Sequence, residues 1–256
     1  MRMSKWNAIA LSIALAFAGR ALGHEQAGQR VLDVKLMTVA ELEKAGDMCR
    51  AHKDYEHAIR YFQQAASKDK KSATLRNKLG LAELQAGNTE QARADFEKAA
   101  KLNPKFADAL NNVGAVYFMQ NKSGSAAKYF KKALALDETR AAFHVNLGAA
   151  WFNQKKFDRA INEYTRALEL DPQVLEEHAR AGVTAQIASP EERAKYYYVL
   201  GKIYAKRGDV DNCLLCLRKA KESGYRDLAN VYKEEEFSKL WHDVRLVELV
   251  PPPAQE

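Results

Sequence analysis

A 34-residue beat runs through the middle of the chain, and few folds can accommodate one. Gly46, Gly80, Gly114 and Gly148 stand one period apart, and so do Ala58, Ala92, Ala126 and Ala160. Ala65, Ala99, Ala133 and Ala167 keep the same step, as do Phe62, Phe96, Phe130 and Tyr164, while Pro104 and Pro172 lie two periods apart. Five registers in phase indicate tandem units, each too small to bury its own apolar face and therefore stacked on its neighbours.

Each unit reads as two helices. In the third, Ala109, Leu110, Val113, Gly114 and Tyr117 recur three and four residues apart, which is one helical face. Residues 121–124 carry a turn signal, and Ala126, Phe130 and Ala133 form the second face. The fourth unit repeats this with Leu147, Gly148 and Trp151, a turn at 154–156, then Ala160, Tyr164 and Ala167. Gly and Ala recur where a bulky side chain would hold crossing helices apart, and the aromatic fills the gap beside them. Pro104 and Pro172 close second helices, because proline cannot continue one.

The period, the Leu-Gly-x-x-aromatic core of the first helix, the Ala-x-x-x-aromatic of the second and the closing Pro together resemble the tetratricopeptide repeat family. The resemblance covers four units: 39–72, 73–106, 107–140 and 141–174. Cys49 and Glu83 depart from it where the family prefers Tyr, and units one and three lack the closing Pro. It implies an all-α, right-handed superhelical solenoid of tandem helix–turn–helix repeats whose first helices line a concave groove for a protein or peptide. The groove positions it implies are Asn77, Lys78, Leu81 and Leu84 in repeat two. In repeat three they are Asp108, Asn111, Asn112, Ala115 and Phe118, and in repeat four Ala142, Val145, Asn146, Ala149 and Phe152. Asn112 and Asn146 recur one period apart; as donor and acceptor in one side chain they suit a ladder along an extended peptide, and equally suit bonds between neighbouring repeats. Phe118 and Phe152 would give that groove an apolar floor. The Lys/Asn/Arg carboxylate clamp of some members is not met, since Asn77 and Leu81 stand where Lys and Asn are needed.

Beyond residue 174 the phase breaks, because Gly182 continues the step but Gly201 follows 19 residues later. Residues 175–193 read as a bridging helix, with Ser189, Pro190 and Glu192 as a helix start. Residues 194–223 read as a fifth repeat carrying Tyr197, Leu200, Gly201, Tyr204, Cys213, Leu217 and Ala220. A frame in which Ala194, Tyr198 and Gly201 form the second helix of an in-phase repeat stays open. Residues 224–250, with Phe237, Leu240, Trp241 and the apolar run from Val244 to Val250, read as a C-terminal helical cap, since the last repeat has no neighbour to cover it. Residues 251–256 are expected to be a disordered tail. At the other end, Thr38 and Glu41 form a capping-box pattern that opens the first repeat after a 24–38 linker.

Residues 1–23 have the layout of a signal peptide: Arg2 and Lys5, an apolar run over 8–18 broken only by Ser12, then Ala21 and Gly23. The run falls short of the roughly 20 apolar residues of a spanning helix. Export to the periplasm or beyond is therefore expected; an uncleaved start would instead make a membrane-anchored structural subunit associated with a membrane surface. Losing Arg2, Lys5 and Arg20 lowers the formal charge from +7 to 7 − 3 = +4. The remaining Lys and Arg are interspersed with acids as solvated helix faces, without the clustered stripe that nucleic acid would need. Cys49, Cys213 and Cys216 are an odd number and make no disulfide scaffold.

Nothing in the pattern demands catalysis, a metal or a cofactor. Cys213-x-x-Cys216 falls inside a second helix, with Cys213 in the Ala register, whereas a redox motif belongs at a helix N-terminus. A buried core pair is the favoured reading, and a redox-active envelope protein using Cys213 and Cys216 is the rival. The six histidines lack ligand spacing, no phosphate loop or nucleophile elbow occurs, and Glu234 to Glu236 read as a solvated face. The expected role is a non-enzymatic scaffold that binds a protein or peptide.

Overall fold

The computed structural model describes residues 34–175 and 189–253. The expected signal peptide, most of the linker before the first repeat, residues 176–188 of the bridging segment and the last three residues lie outside the described residues. All the described regular elements are helical. They are α1 (Val39–Ala51), α2 (Tyr55–Lys68), α3 (Ala73–Gln85), α4 (Thr89–Leu102), α5 (Ala107–Met119), α6 (Ser123–Leu134), α7 (Ala141–Asn153), α8 (Phe157–Leu170), α9 (Pro190–Arg207) and α10 (Val210–Glu222). Two short 3₁₀ turns, Leu228–Tyr232 and Glu235–Leu240, and α11 (Val244–Leu249) complete the chain. Two compact units divide at Gly87. In the first, α1 packs on α2 and α2 on α3; in the second, α4 through α10 pack in sequence order, each on the next.

The starts of several helices follow from their caps. The Glu41 N–H donates to Thr38 Oγ1 (3.3 Å) and the Thr38 N–H donates to the Glu41 carboxylate (2.8 Å), so the predicted capping box is formed. Ser189 Oγ accepts from the Glu192 N–H (3.1 Å), with Pro190 in the first turn. Helix α9 therefore takes up residues 190–193, which the sequence reading gave to the bridging helix, and runs for 18 residues. It pairs with α10 as the first helix of a hairpin.

The glycine and aromatic registers meet at the helix crossings. A Cβ placed on Gly46 would lie 2.7 Å from the Phe62 ring, on Gly114 2.6 Å from Phe130, and on Gly148 2.8 Å from Tyr164. Each ring rests directly on the glycine 16 residues earlier, and burying it contributes about 1.5–3 kcal/mol. The hairpin of α9 and α10 uses Leu217 on Gly201, with a looser 3.2 Å.

Between the two helices of a repeat the chain turns through one left-handed residue, also in phase: Lys53 (φ 61°), Gly87 (φ 87°), Asn121 (φ 59°) and Lys155 (φ 59°). At the first, the Lys53 N–H donates to the Arg50 carbonyl and the Asp54 N–H to the Cys49 carbonyl, a paired closure that recurs after α5, α7 and α9. A lysine in this region costs roughly 1–2 kcal/mol, which glycine avoids at the expense of a more flexible unfolded chain. Lys53→Gly is therefore expected to stabilise by about 0.5–1 kcal/mol. An unchanged or lowered urea midpoint would contradict it.

The C-terminal segment covers the α9–α10 hairpin with Val231, Phe237, Leu240, Leu246 and Val250, all buried. Tyr198 stacks on Tyr225 at 4.4 Å and lies 5.8 Å from Phe237. The indole N–H of Trp241 donates to the Val231 carbonyl (2.7 Å). Two sequence expectations need correction here. Val244 and Val247 face solvent, so only part of that apolar run covers the repeat. Glu234 and Glu236 are not merely solvated: both pair with Lys202 of α9 (3.1 and 3.3 Å) and tie the cap down.

Candidate functional site

Helices α5 and α7 are the first helices of consecutive hairpins and also touch one another in the second unit. Asp108, Asn111, Asn112 and Ala115 on α5, and Ala142, Asn146 and Ala149 on α7, are half-buried. The Asn146 amide donates to Asn111 Oδ1 (2.9 Å), so Asn146 ties one repeat to the next. One donor and one acceptor are spent in that bond, and each side chain keeps further capacity.

The apolar floor expected from Phe118 and Phe152 is not there, because both rings are buried in the core. Phe152 meets Phe157 and Tyr196 edge-on at 5.3 and 5.5 Å. Val145 is likewise buried. The outward direction passes to the next position: Met119 is 44% exposed, and Asn153, one period later, is half-buried. Helical geometry explains the shift, since a residue four on from Ala115 or Ala149 lies about 40° from its direction and one three on lies about 60° to the other side. Met119 and Asn153 share one register, a signal the repeat offered and sequence reasoning passed over.

In the first unit Asn77 is buried, while Leu81 and Leu84 are half-buried. Lys78 reaches Glu43 (2.7 Å) and Asp47 (2.5 Å) on α1, joining α3 to it. Partial burial pulls the Lys78 pKa down, and its hydrogen bonds to Asp47 and Glu43 outweigh that and hold it above the ordinary lysine value. Several polar residues of the first helices thus serve cohesion. Arg140 bonds Asp108 (2.9 Å), and buried His144 lies 2.7 Å from Glu163 and 3.1 Å from the Glu138 carbonyl.

Cys49, Cys213 and Cys216 are buried free thiols. Burial pushes Cys213 up to about 12, with Cys216 and Asp209 adding to it, and pushes Cys216 to about 12 despite the nearby Lys219. Burial, then Asp54, raises Cys49 to about 11. A thiol so raised is a poor nucleophile. Among the described residues no group of three His, Cys, Asp or Glu could hold a metal ion, and no helix is long and apolar enough to cross a membrane.

Family models described as tetratricopeptide repeat match residues 44–102 and 77–141, 141–174 and 194–223. Among solved structures, the chain is similar to a MamA protein at 22% identity, covering 77% of this chain and 95% of that one, with a TM-score of 0.51. A MamA fragment from Desulfovibrio magneticus RS-1 is 20% identical over 72% of this chain and 94% of its own, with a TM-score of 0.52. At these identities the likeness concerns the fold. No curated protein matches the sequence.

Proposed function

The chain belongs to the tetratricopeptide repeat family, and we propose that it is a protein-interaction scaffold that binds an extended segment of a partner protein along the groove-lining face of α5 and α7. The observation that carries this reading is the half-buried strip of Asn111, Asn112 and Ala115 beside Asn146 and Ala149. Ala115 and Ala149 are small and one period apart, so a peptide backbone can approach both helices, and the asparagine amides flank it with donors and acceptors. The role is non-enzymatic: the raised thiols argue against Cys213 and Cys216 as a redox pair. The work is done outside the cytoplasm, a reading that rests on Arg2, Lys5 and the apolar run at 8–18.

The experiment is capture of partner from the cell envelope on the immobilised full chain. Ala115→Arg with Ala149→Arg fills the strip and is expected to reduce capture at least tenfold while the helical circular dichroism persists. Equal capture by a folded double variant would refute this face as the binding site. Mass spectrometry of the exported protein is expected to find a chain beginning at His24, and an envelope chain still beginning at Met1 would overturn cleavage.

A further inference from the structure

We propose that a depression over Trp151 in the second unit is a docking site for an acidic segment of a partner protein. Gly124, Ala127, Lys128, Lys131, Trp151, Gln154 and Lys156 line an open hollow of about 390 Å³. Three cations stand on the indole ring: Lys131 Nζ at 5.6 Å, Lys156 Nζ at 4.9 Å and the Arg159 guanidinium at 5.1 Å from its centre. Lys128 adds a fourth cation at the rim. No ion pair joins any of these four to a carboxylate among the described residues, whereas Arg93, Arg140, Lys202 and Arg245 are all paired. The expectation of evenly interspersed charge fails here, because the lysines of α6 and the cations beside Trp151 come from different repeats and meet only in the fold.

The preceding repeat shows which chemistry the hollow lacks. One period before Trp151 stands Tyr117, and one period before Gly124, Ala127 and Lys131 stand Glu90, Arg93 and Glu97. There Arg93 lies over the Tyr117 ring (5.7 Å) and is paired with Glu90 (2.8 Å) and Glu97 (3.5 Å). Glu90 also accepts from Gln120 (2.8 Å). That site is filled and neutralised from within the chain. Around Trp151 the same positions hold Gly, Ala and Lys: both carboxylates and Arg93 are gone, Lys156 keeps the place of Lys122, and Lys131 and Arg159 are cations where the preceding repeat has Glu97 and Ser125. Two carboxylates from outside would supply the countercharge that Glu90 and Glu97 supply one repeat earlier. A Cβ on Gly124 would meet nothing within 4 Å, so the way in beside it is open. Like charges gathered this closely repel, and an anionic segment relieves that repulsion with charge-assisted bonds. The proposal extends the scaffold reading to a second surface and fails separately from it, since variants of the α5–α7 strip leave this hollow intact.

The test uses the full chain and a fluorescently labelled peptide of alternating Asp and Glu, read by anisotropy. Saturable binding that weakens as salt rises is expected. Gly124→Glu with Lys131→Glu writes the two missing carboxylates into the hollow and should weaken binding at least tenfold with an unchanged melting curve. Lys70→Glu with Lys71→Gln alters net charge as much at exposed sites of the first unit and should leave binding within about twofold. Absence of peptide binding, or equal loss in the control, would overturn the site. So would an oligonucleotide or phosphatidylglycerol vesicles binding with the same variant sensitivity where the peptide does not.

Discussion

Phe130→Ala is expected to lower the free energy of unfolding by about 4 kcal/mol, and Gly114→Ala by up to about 2 kcal/mol. The first follows from removing a ring that is 1% exposed and sits on a glycine, where the rigid crossing of α5 and α6 cannot collapse onto the void. The second runs against helix propensity, which favours Ala over Gly by about 1 kcal/mol. Here a Cβ would lie 2.6 Å from Phe130, and overpacking of that kind costs about 1–3 kcal/mol, enough to reverse the sign. The two effects must be coupled. In a Phe130→Leu background the loss from Gly114→Ala should shrink, because Leu217 beside Gly201 already leaves 3.2 Å. Urea unfolding of the four variants measures this, and additivity within about 0.5 kcal/mol would show that the contact does not set the register.

That contact explains why the fold could be read from the sequence and much of its surface could not. A glycine that must receive a ring leaves a mark whenever the hairpin recurs, and Gly46, Gly114 and Gly148 with Phe62, Phe130 and Tyr164 leave it in phase. The left-handed turn is just as periodic, yet Lys53, Asn121 and Lys155 occupy it beside Gly87, and lysine there announces nothing. The aspect of the first helices was legible only in part. Periodicity placed Asn111, Asn112 and Asn146 on the right face but could not tell Phe118 from Met119, which differ by about 100° around one helix. Packing against the next repeat decided that, drawing Phe118 and Phe152 into the core. The Trp151 hollow was invisible for a further reason: it is made by absences, Gly124 and Ala127 where the preceding repeat has Glu90 and Arg93, and by cations that meet across two repeats. The phase break after residue 174 was visible as an irregularity, and Ser189 and Pro190 marked the helix that resumes there.

Cys213 and Cys216 are expected to resist alkylation at neutral pH by about three orders of magnitude relative to an unfolded control. The ordinary thiol value of 9.0 is pushed up to about 12 at both, chiefly by burial, so the reactive thiolate becomes about a thousandfold rarer at pH 7. Cys213 is also fully buried, so a reagent must wait for local opening. Its place explains the direction of the shift: it is the fourth residue of α10, in the register other repeats give to Ala, and Asp209 at the helix start adds negative charge nearby. The same shift fixes the pH dependence of stability. The unfolded chain loses its thiol protons near pH 9 while the folded chain keeps them towards 12, so below about 9 the two states bind equal numbers of these protons and nothing changes. Above it the unfolded state is the one that gains by ionising, and stability falls as pH rises through that window. Labelling in urea should be complete within the time that leaves the native protein unmodified, and the native rate should climb with pH. Rapid modification of Cys213 in the folded chain at pH 7 would return the redox reading to contention, since only an accessible, acidified thiol behaves that way.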